Sequence, residues 1–474
     1  MSLVKLHTFL IKFFQYENHI QSHKKGKPIS ICDSQKISNQ LNQLKLHKAL
    51  GKEKGVIFMP LNDKQKPIHL PEMLLPKRSI DLSKWAVVAC DQFTSQPSYW
   101  KELKRYIDDA PSTYNMILPE VYLEQMDEKM IEKINQTMNE YIASDVLESI
   151  GESMMLIERS TDLTNKRLGL ILAIDLENYD YSEHSKPLIR TTEKTIIERI
   201  PPRVKIRKNA PLELSHVMLL MNDSKQHIIE KLYEKRDTFI KKYDFVLNMM
   251  GGHLRGYQIT DCDEIIKDFY NLIEDPNDPM LFVVGDGNHS LATAKAHWEE
   301  VKKSLTAKEQ DNHPARFAMV EVVNIYDPGL HFEGIHRVLF NADKSFLIDM
   351  FHAVDKEKDT WVYTNEIGQQ QFFIPRNTAD AYEQIQSFID DYLSKHKETT
   401  IDYIHGDDEL IEVCNSHPGS IGIKMPTIEK KDLFPFIQTG KVLPRKSFSM
   451  GCATAKRYYL ESRWIKKENT KGGK

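Results

Sequence analysis

The sequence predicts a mixed α/β protein of the α+β kind. Helical stripes, with apolar residues three and four apart, recur between short apolar or alternating runs that fit strands. These segments follow one another without the strict strand–helix–strand order of a parallel sheet. A chain of 474 residues has room for two or three domains, and 41% hydrophobic with 28% charged residues suits a soluble globular protein.

Residues 1–56 stand apart. They hold ten lysines and no arginine against Glu17, Asp33 and Glu53, a net +7, so the remainder carries −11 of the chain's −4. This segment is expected to be a basic, disordered extension. It shows neither a secretory cleavage pattern nor the arginines of a mitochondrial address. An acidic body is a poor sequence-independent binder of nucleic acid, because phosphate contacts need clustered positive charge. No apolar run is long enough to span a bilayer. The five cysteines, Cys32, Cys90, Cys262, Cys414 and Cys452, form no Cys-x-x-Cys pair. That argues against a zinc ribbon or a disulfide framework and for a reducing, cytoplasmic setting.

The ordered part is expected to begin near Gly55. Trp85–Cys90 fits a strand ending at Asp91, followed by a helix over 98–107 and a long helix over 121–147. Met154–Ile157 and Arg167–Leu176 fit a hairpin, and Pro201-Pro202 stops whatever precedes it. A strand over 217–221, a helix over 225–242, a strand over 256–259 and a helix over 263–273 come next. A strand over 315–324 closes a core drawn as 57–340. The remainder, 341–474, is expected to form an α+β domain with helices over 345–354 and 379–395. Its strands are expected near 400–404, 421–425 and 443–451. There is no internal repeat.

The most informative stretch is Met280–Trp298. An apolar run, Leu281 to Val284, stops at Gly285-Asp286-Gly287-Asn288-His289-Ser290 and passes into a helical stripe of Leu291, Ala294, Trp298, Val301 and Leu305. A buried strand, a two-glycine turn and a helix N-terminus together aim free N–H groups and the positive end of a helix dipole at one spot. Asp286 and His289 add a carboxylate and an imidazole there. The same residues also suit a plain strand-to-helix turn, with Asn288 or Ser290 as cap. The spacing falls short of the dinucleotide fingerprint, and the polar stretch 307–313 lacks the acid that fingerprint needs downstream. No Walker-type phosphate loop occurs.

Other constellations are Asp91, which is either a general base or a turn former, and the arginines 190, 199, 203 and 207 together with Glu193 and Glu198. As a group the arginines fit an anion clamp, although any one alone suits a solvated rim. His331 and His336 lie five apart with Gly334 between them, which is wrong for a helical zinc pair. Leu443–Gly451, with Arg445 and Lys446 and with Lys456 and Arg457 close behind, is a second phosphate-binding candidate or else a basic C-terminal surface.

Trp85–Ser95, Asp109–Thr113, Ile200–Arg203, Asn209–Leu214, Gly285–Ser290, His313–Arg316, Ile335–Arg337 and Leu443–Lys446 are spread over Pro60–Trp464. In these the chain resembles the family catalogued as domain of unknown function ten-fifteen. That family is similar to a distant branch of the ParB/sulfiredoxin superfamily, which includes kinases of free serine. The resemblance implies a ParB/sulfiredoxin-like core with an additional α+β C-terminal domain. It also implies a turn at 285–290 that holds nucleotide phosphates, and a carboxylate that activates a hydroxyl. Members carry Asp-Gly-His-His-Arg where this chain has Asp286-Gly287-Asn288-His289-Ser290. The missing arginine requires another cation, Arg203 or Arg445.

The expected activity is a nucleotide-dependent phosphotransfer to a small hydroxylated metabolite, with serine or phosphoserine favoured. Asp91, Asp286 and His289 would be catalytic. Gly285, Gly287, Asn288, Ser290, Arg203, Arg445 and Lys446 would bind phosphate. ATP or ADP would be the nucleotide, with Mg²⁺ at Asp286. Two alternatives remain: a phosphatase on a phosphorylated amino acid, and a ParB-like nucleotide-binding module without small-molecule catalysis. Sulfiredoxin chemistry needs a cysteine at the turn, and 285–290 has none.

Overall fold

The computed structural model describes residues 66–466 apart from positions 95, 163, 183, 344 and 452. The basic segment 1–56 lies outside the described residues. The described chain belongs to one compact unit, Met59–Lys474. Among the described residues no helix is long and apolar enough to cross a membrane.

A ten-stranded sheet forms the centre. Its backbone is the hairpin of β1 (Met154–Thr161) and β2 (Thr164–Asp175), with β3 (Met218–Met221), β4 (Phe282–Asp286) and β5 (Phe317–Asn324). β5 pairs antiparallel with β2 and parallel with β3, and β4 runs antiparallel to β3, placing Asp286 opposite Met218. Side chains alternate across these strands, as the pleat requires. Leu219, Met221, Phe282 and Val284 pack with Leu291, Ala294 and Trp298 of the following helix. Met218, Leu220 and Val283 face the other way, toward Phe346, Met350, Phe448 and Met450. The sheet is therefore covered on both faces, which is why Leu281–Val284 is apolar throughout instead of alternating.

The second layer is a six-stranded sheet centred on β6 (Phe332–Phe340). It carries a hairpin, Lys358–Thr364 with Gly368–Ile374, and the helix Thr378–Lys395. The chain then returns to the first layer. Ser462–Trp464 enters a small third sheet with Glu72–Pro76, Leu147–Glu152 and Leu212–Leu214.

Several local expectations are corrected. Trp85–Cys90 is no regular strand: Leu82–Trp85 is a helical turn capped by Asp81, and within 85–90 only Val88 forms a bridge, to Arg457. Its apolar character reflects burial of residues 86–89, not strand pairing. The helix expected over 121–147 starts afresh at Glu128, where Asp127 accepts a bond from the Met130 N–H at 2.8 Å, and ends at Ala143. Pro201 and Pro202 begin a helix, Ile200–Lys208, where a missing N–H has no partner to lose. The expected helix 225–242 is α-helical only over Ile229–Glu234, with a 3-10 turn at Arg236–Thr238, and Ile240–Val246 is the edge strand of the large sheet. Lysine-rich edge strands mimic polar helices in composition.

Candidate active site

The cleft of interest is built at the end of β4. A bulge between Val284 and Asp286 ends the regular pairing with β3. At Gly285 a Cβ would stand 2.6 Å from Met450 Cε and 3.0 Å from Leu220 Cγ, so a larger residue here would have to push the second layer's Met450 aside. Gly287 then turns the chain with φ +81°, a left-handed conformation that suits glycine. A helix follows at once, α1 (Asn288–Val301), whose N-terminus no side chain caps. Asn288 and Ser290 were candidate caps, but both side chains are engaged elsewhere. Asn288 Oδ1 accepts from Thr191 Oγ1 at 2.8 Å, and Ser290 Oγ lies 2.9 Å from His216 Nε2. The first-turn N–H groups of α1 are thus available to an anion.

Asp286 is the anchor. Its Oδ1 accepts from the Gly287 N–H at 2.8 Å, and its Oδ2 pairs with Lys456 Nζ at 3.0 Å. Burial opposes the charge of Lys456, but Asp286 and Asp91 outweigh it and keep the ammonium protonated. Asp91 belongs to the same cluster. Burial alone would raise its carboxyl, yet His216 and Lys456, with a bond from Gln92 Nε2 at 3.0 Å, hold it below the usual carboxylate range. A third carboxylate, Glu193, accepts the backbone N–H groups of Lys446 and Ser447 at 3.3 and 3.1 Å. Burial nevertheless raises its pKa, and Asp286 adds to that. The segment around Glu193 is tied to Leu443, so the Arg445–Ser447 turn is pinned against the cleft.

His289 is neutral. Burial, then Arg203 and Arg199, lower its pKa to about 4. Its Nε2 accepts the Ile196 N–H at 3.3 Å, so the ring proton resides on Nδ1. Asp91 and Lys446 both act on its charge, which places all three in one electrostatic neighbourhood. Arg203 stands nearby in an ion pair with Glu120.

The structure thus gathers Asp91, Arg203, the turn 285–290 and Lys446 around α1. It does not bring the four arginines together: Arg190 pairs with Asp278 at 2.5 Å and Arg207 with Glu213 at 2.6 Å. Arg445 also points elsewhere, its guanidinium over the Tyr403 ring at 5.9 Å. His336 pairs with Asp407 at 2.9 Å. Sequence reasoning passed over His216 and underrated Lys456 and Glu193. His216 had no signal beyond its place just ahead of a strand. Lys456 was noticed only as part of a basic tail.

Both Asp286 oxygens are engaged, and among the described residues no group of three His, Cys, Asp or Glu could hold a metal ion. A Mg²⁺ here would therefore be held largely by a ligand's phosphates, with Asp286 or Asp91 contributing, which suits the way Mg²⁺ binds.

These features define a mixed α/β protein with a carboxylate–lysine cleft at a strand end, open to an uncapped helix N-terminus. The chain belongs to the family described as protein of unknown function (DUF1015), whose model matches residues 74–460. No curated protein sequence matches the chain. Among solved structures it is similar to a free serine kinase variant in complex with ADP, at 8% identity and a TM-score of 0.35. That match spans 61% of this chain and 92% of the other. It is also similar to a conserved hypothetical protein from Pyrococcus furiosus, at 12% identity and a TM-score of 0.31, over 58% and 90% of the two chains. SbnI from Staphylococcus aureus, truncated at its C-terminus, matches at 11% identity and a TM-score of 0.25, over 51% and 82%.

Proposed function

We propose that this protein is a cytoplasmic phosphotransferase that moves phosphate between a nucleotide, ATP or ADP, and a small hydroxylated metabolite. One observation carries the reading: an ionised carboxylate, Asp91, shares a cleft with Lys456, Lys446 and the uncapped first turn of α1. Phosphoryl transfer needs little else from a protein than positioning and charge neutralisation.

In this reading the N–H groups of residues 288–290 and the two lysines receive phosphate oxygens. Neutral His289 donates its Nδ1–H to one of them without adding charge. Asp91 accepts the acceptor hydroxyl's proton, for which its depressed pKa keeps it ionised at neutral pH. Asp286 orients Lys456 through their 3.0 Å contact. Mg²⁺ bound with the nucleotide would supply further charge neutralisation. Serine is the acceptor that the sequence resemblance supplies.

The test combines calorimetric titration of the full chain with ADP and transfer of labelled terminal phosphate from ATP to a panel of hydroxyl compounds. Asp91→Asn should lower transfer by about 100-fold or more, the usual contribution of a general base, while ADP affinity holds within a few-fold. Absence of ADP and ATP binding at millimolar concentration would remove the proposal. Full activity in Asp91→Asn would remove Asp91 from it.

A further inference from the structure

A cavity of about 140 Å³ adjoins the cleft on the Asp91 side. Cys90, His216 and Ser290 contribute to its boundary: Cys90 precedes Asp91, and His216 Nε2 lies 2.9 Å from Ser290 Oγ in the first turn of α1. The rest is mainly apolar: Met116, Leu118, Leu123, Met138 and Leu214 line it. Its arginines are ion-paired: Arg203 with Glu120, and Arg207 with Glu213 at 2.6 Å, although Nε and Nη2 of Arg207 have no hydrogen-bond partner among the described residues. An apolar enclosure with a few polar groups at one side is what a small-molecule pocket offers. With both lining arginines already ion-paired and the wall otherwise mainly apolar, an ionic ligand body would be desolvated there with little compensation.

Geometry decides which reactant this space serves. In phosphoryl transfer the attacking and leaving oxygens lie roughly in line on opposite sides of phosphorus. A cavity beside the proton acceptor therefore lies on the attacking side and belongs to the acceptor, not to the departing nucleotide. We propose that the acceptor is a hydroxylated small molecule with an uncharged, apolar body that fills this cavity, its hydroxyl lying between Asp91 and the first turn of α1. This rests on the phosphotransferase reading. The hydroxyl oxygen bonds to the terminal phosphorus of a nucleoside triphosphate, and the bond from that phosphorus to the bridging oxygen breaks. The hydroxyl proton passes to the Asp91 carboxylate, and the products are a phosphate monoester and a nucleoside diphosphate. Free serine fits this space poorly. Its single methylene would leave most of the cavity empty, and its ammonium and carboxylate would meet apolar walls.

The experiment uses the full chain with 2-phenylethanol and serine as probes. Binding is followed by saturation-transfer NMR and competence by labelled-phosphate transfer from ATP. We expect 2-phenylethanol to bind and to be phosphorylated with at least tenfold higher kcat/KM than serine. Leu123→Trp, which fills the cavity from a half-buried wall position, should raise the alcohol's Kd at least tenfold and leave ADP affinity unchanged. Leu118→Phe is the second variant, should the first fail to fold. The inference is overturned if the alcohol does not bind, if a folded variant binds it as well as the parent, or if serine is the better acceptor. In those outcomes intact ADP binding and transfer to another hydroxyl compound leave the phosphotransferase reading standing. If the unaltered chain binds neither ADP nor ATP, that reading fails, and this inference fails with it.

Discussion

Lys456→Met isolates the electrostatic centre of the cleft. Lys456 Nζ sits 3.0 Å from Asp286 Oδ2, with the two side chains 20% and 23% exposed. It also acts on Asp91 and Glu193. Two unit charges about 4 Å apart attract by roughly 4 kcal/mol at an effective dielectric of about 20, before desolvation is subtracted. Breaking a fully buried pair costs about 3–5 kcal/mol, and an exposed pair is worth about 0–1 kcal/mol. A pair one-fifth exposed lies between, so Lys456→Met should destabilise by about 2 kcal/mol. The sign of the second change is more telling. With Lys456 gone, three carboxylates face one another, and adding Asp286→Asn removes one repelling charge. The double variant should therefore be more stable than Lys456→Met alone, although Asp286→Asn destabilises the parent. Urea unfolding of the four proteins measures this, with unchanged m-values as the check that only stability moved. If Asp286→Asn has the same effect in both backgrounds, within about 0.5 kcal/mol, the two residues are not coupled and the account of the cleft is wrong.

Four further outcomes are expected. Activity should be level above about pH 5 and should fall as pH drops through about 4, where His289 gains its proton and Asp91 approaches its own. His289→Ala should lower activity by about 100-fold or more yet cost only about 1 kcal/mol, since the bond lost is a single 3.3 Å contact from Ile196; an acid limb near neutrality in the parent would contradict both. Glu461 is fully buried, and burial raises its pKa to about 7. Its stability contribution is present below the unfolded value of 4.5 and is lost as pH rises through about 7. Glu461→Gln should then gain about 2 kcal/mol on the parent between pH 5.5 and 8.5 in urea titrations, and an equal difference at both pH values would refute this. Gly285→Ala places a Cβ 2.6 Å from Met450 Cε and should cost about 1–3 kcal/mol, with part recovered by Met450→Ala; no recovery would mean the strain lies elsewhere.

Local signals carried much of this structure in the sequence. The strand Phe282–Asp286, the hairpin of β1 and β2 and the helix Thr378–Lys395 each show an unbroken apolar run or helical stripe with recognisable ends. What failed were segments whose character comes from distant partners. Trp85–Cys90 is apolar because other layers bury it, and Ile240–Val246 is a strand because His253–Ile259 pairs with it. Composition shows neither partner.

The same division holds for the candidate site. The turn Gly285–Ser290 was legible because strand, glycines and helix are contiguous, so backbone geometry alone aims their N–H groups. Asp91 stood out only as an acid following an apolar run. Whether it met His289 depended on folding, as did the choice of cations: Lys456 enters because residues 456–458 come back to bridge 87–89, while Arg445 turns to Tyr403 and Arg190 to Asp278. By itself the sequence determined the layer type, the strand–turn–helix at 285–290 and the kinds of charge available. Tertiary structure decided which charges meet, because an ion pair depends on separation in space, and residues 91, 193, 286 and 456 are brought together only by packing the two large sheets and returning the C-terminal chain to the first.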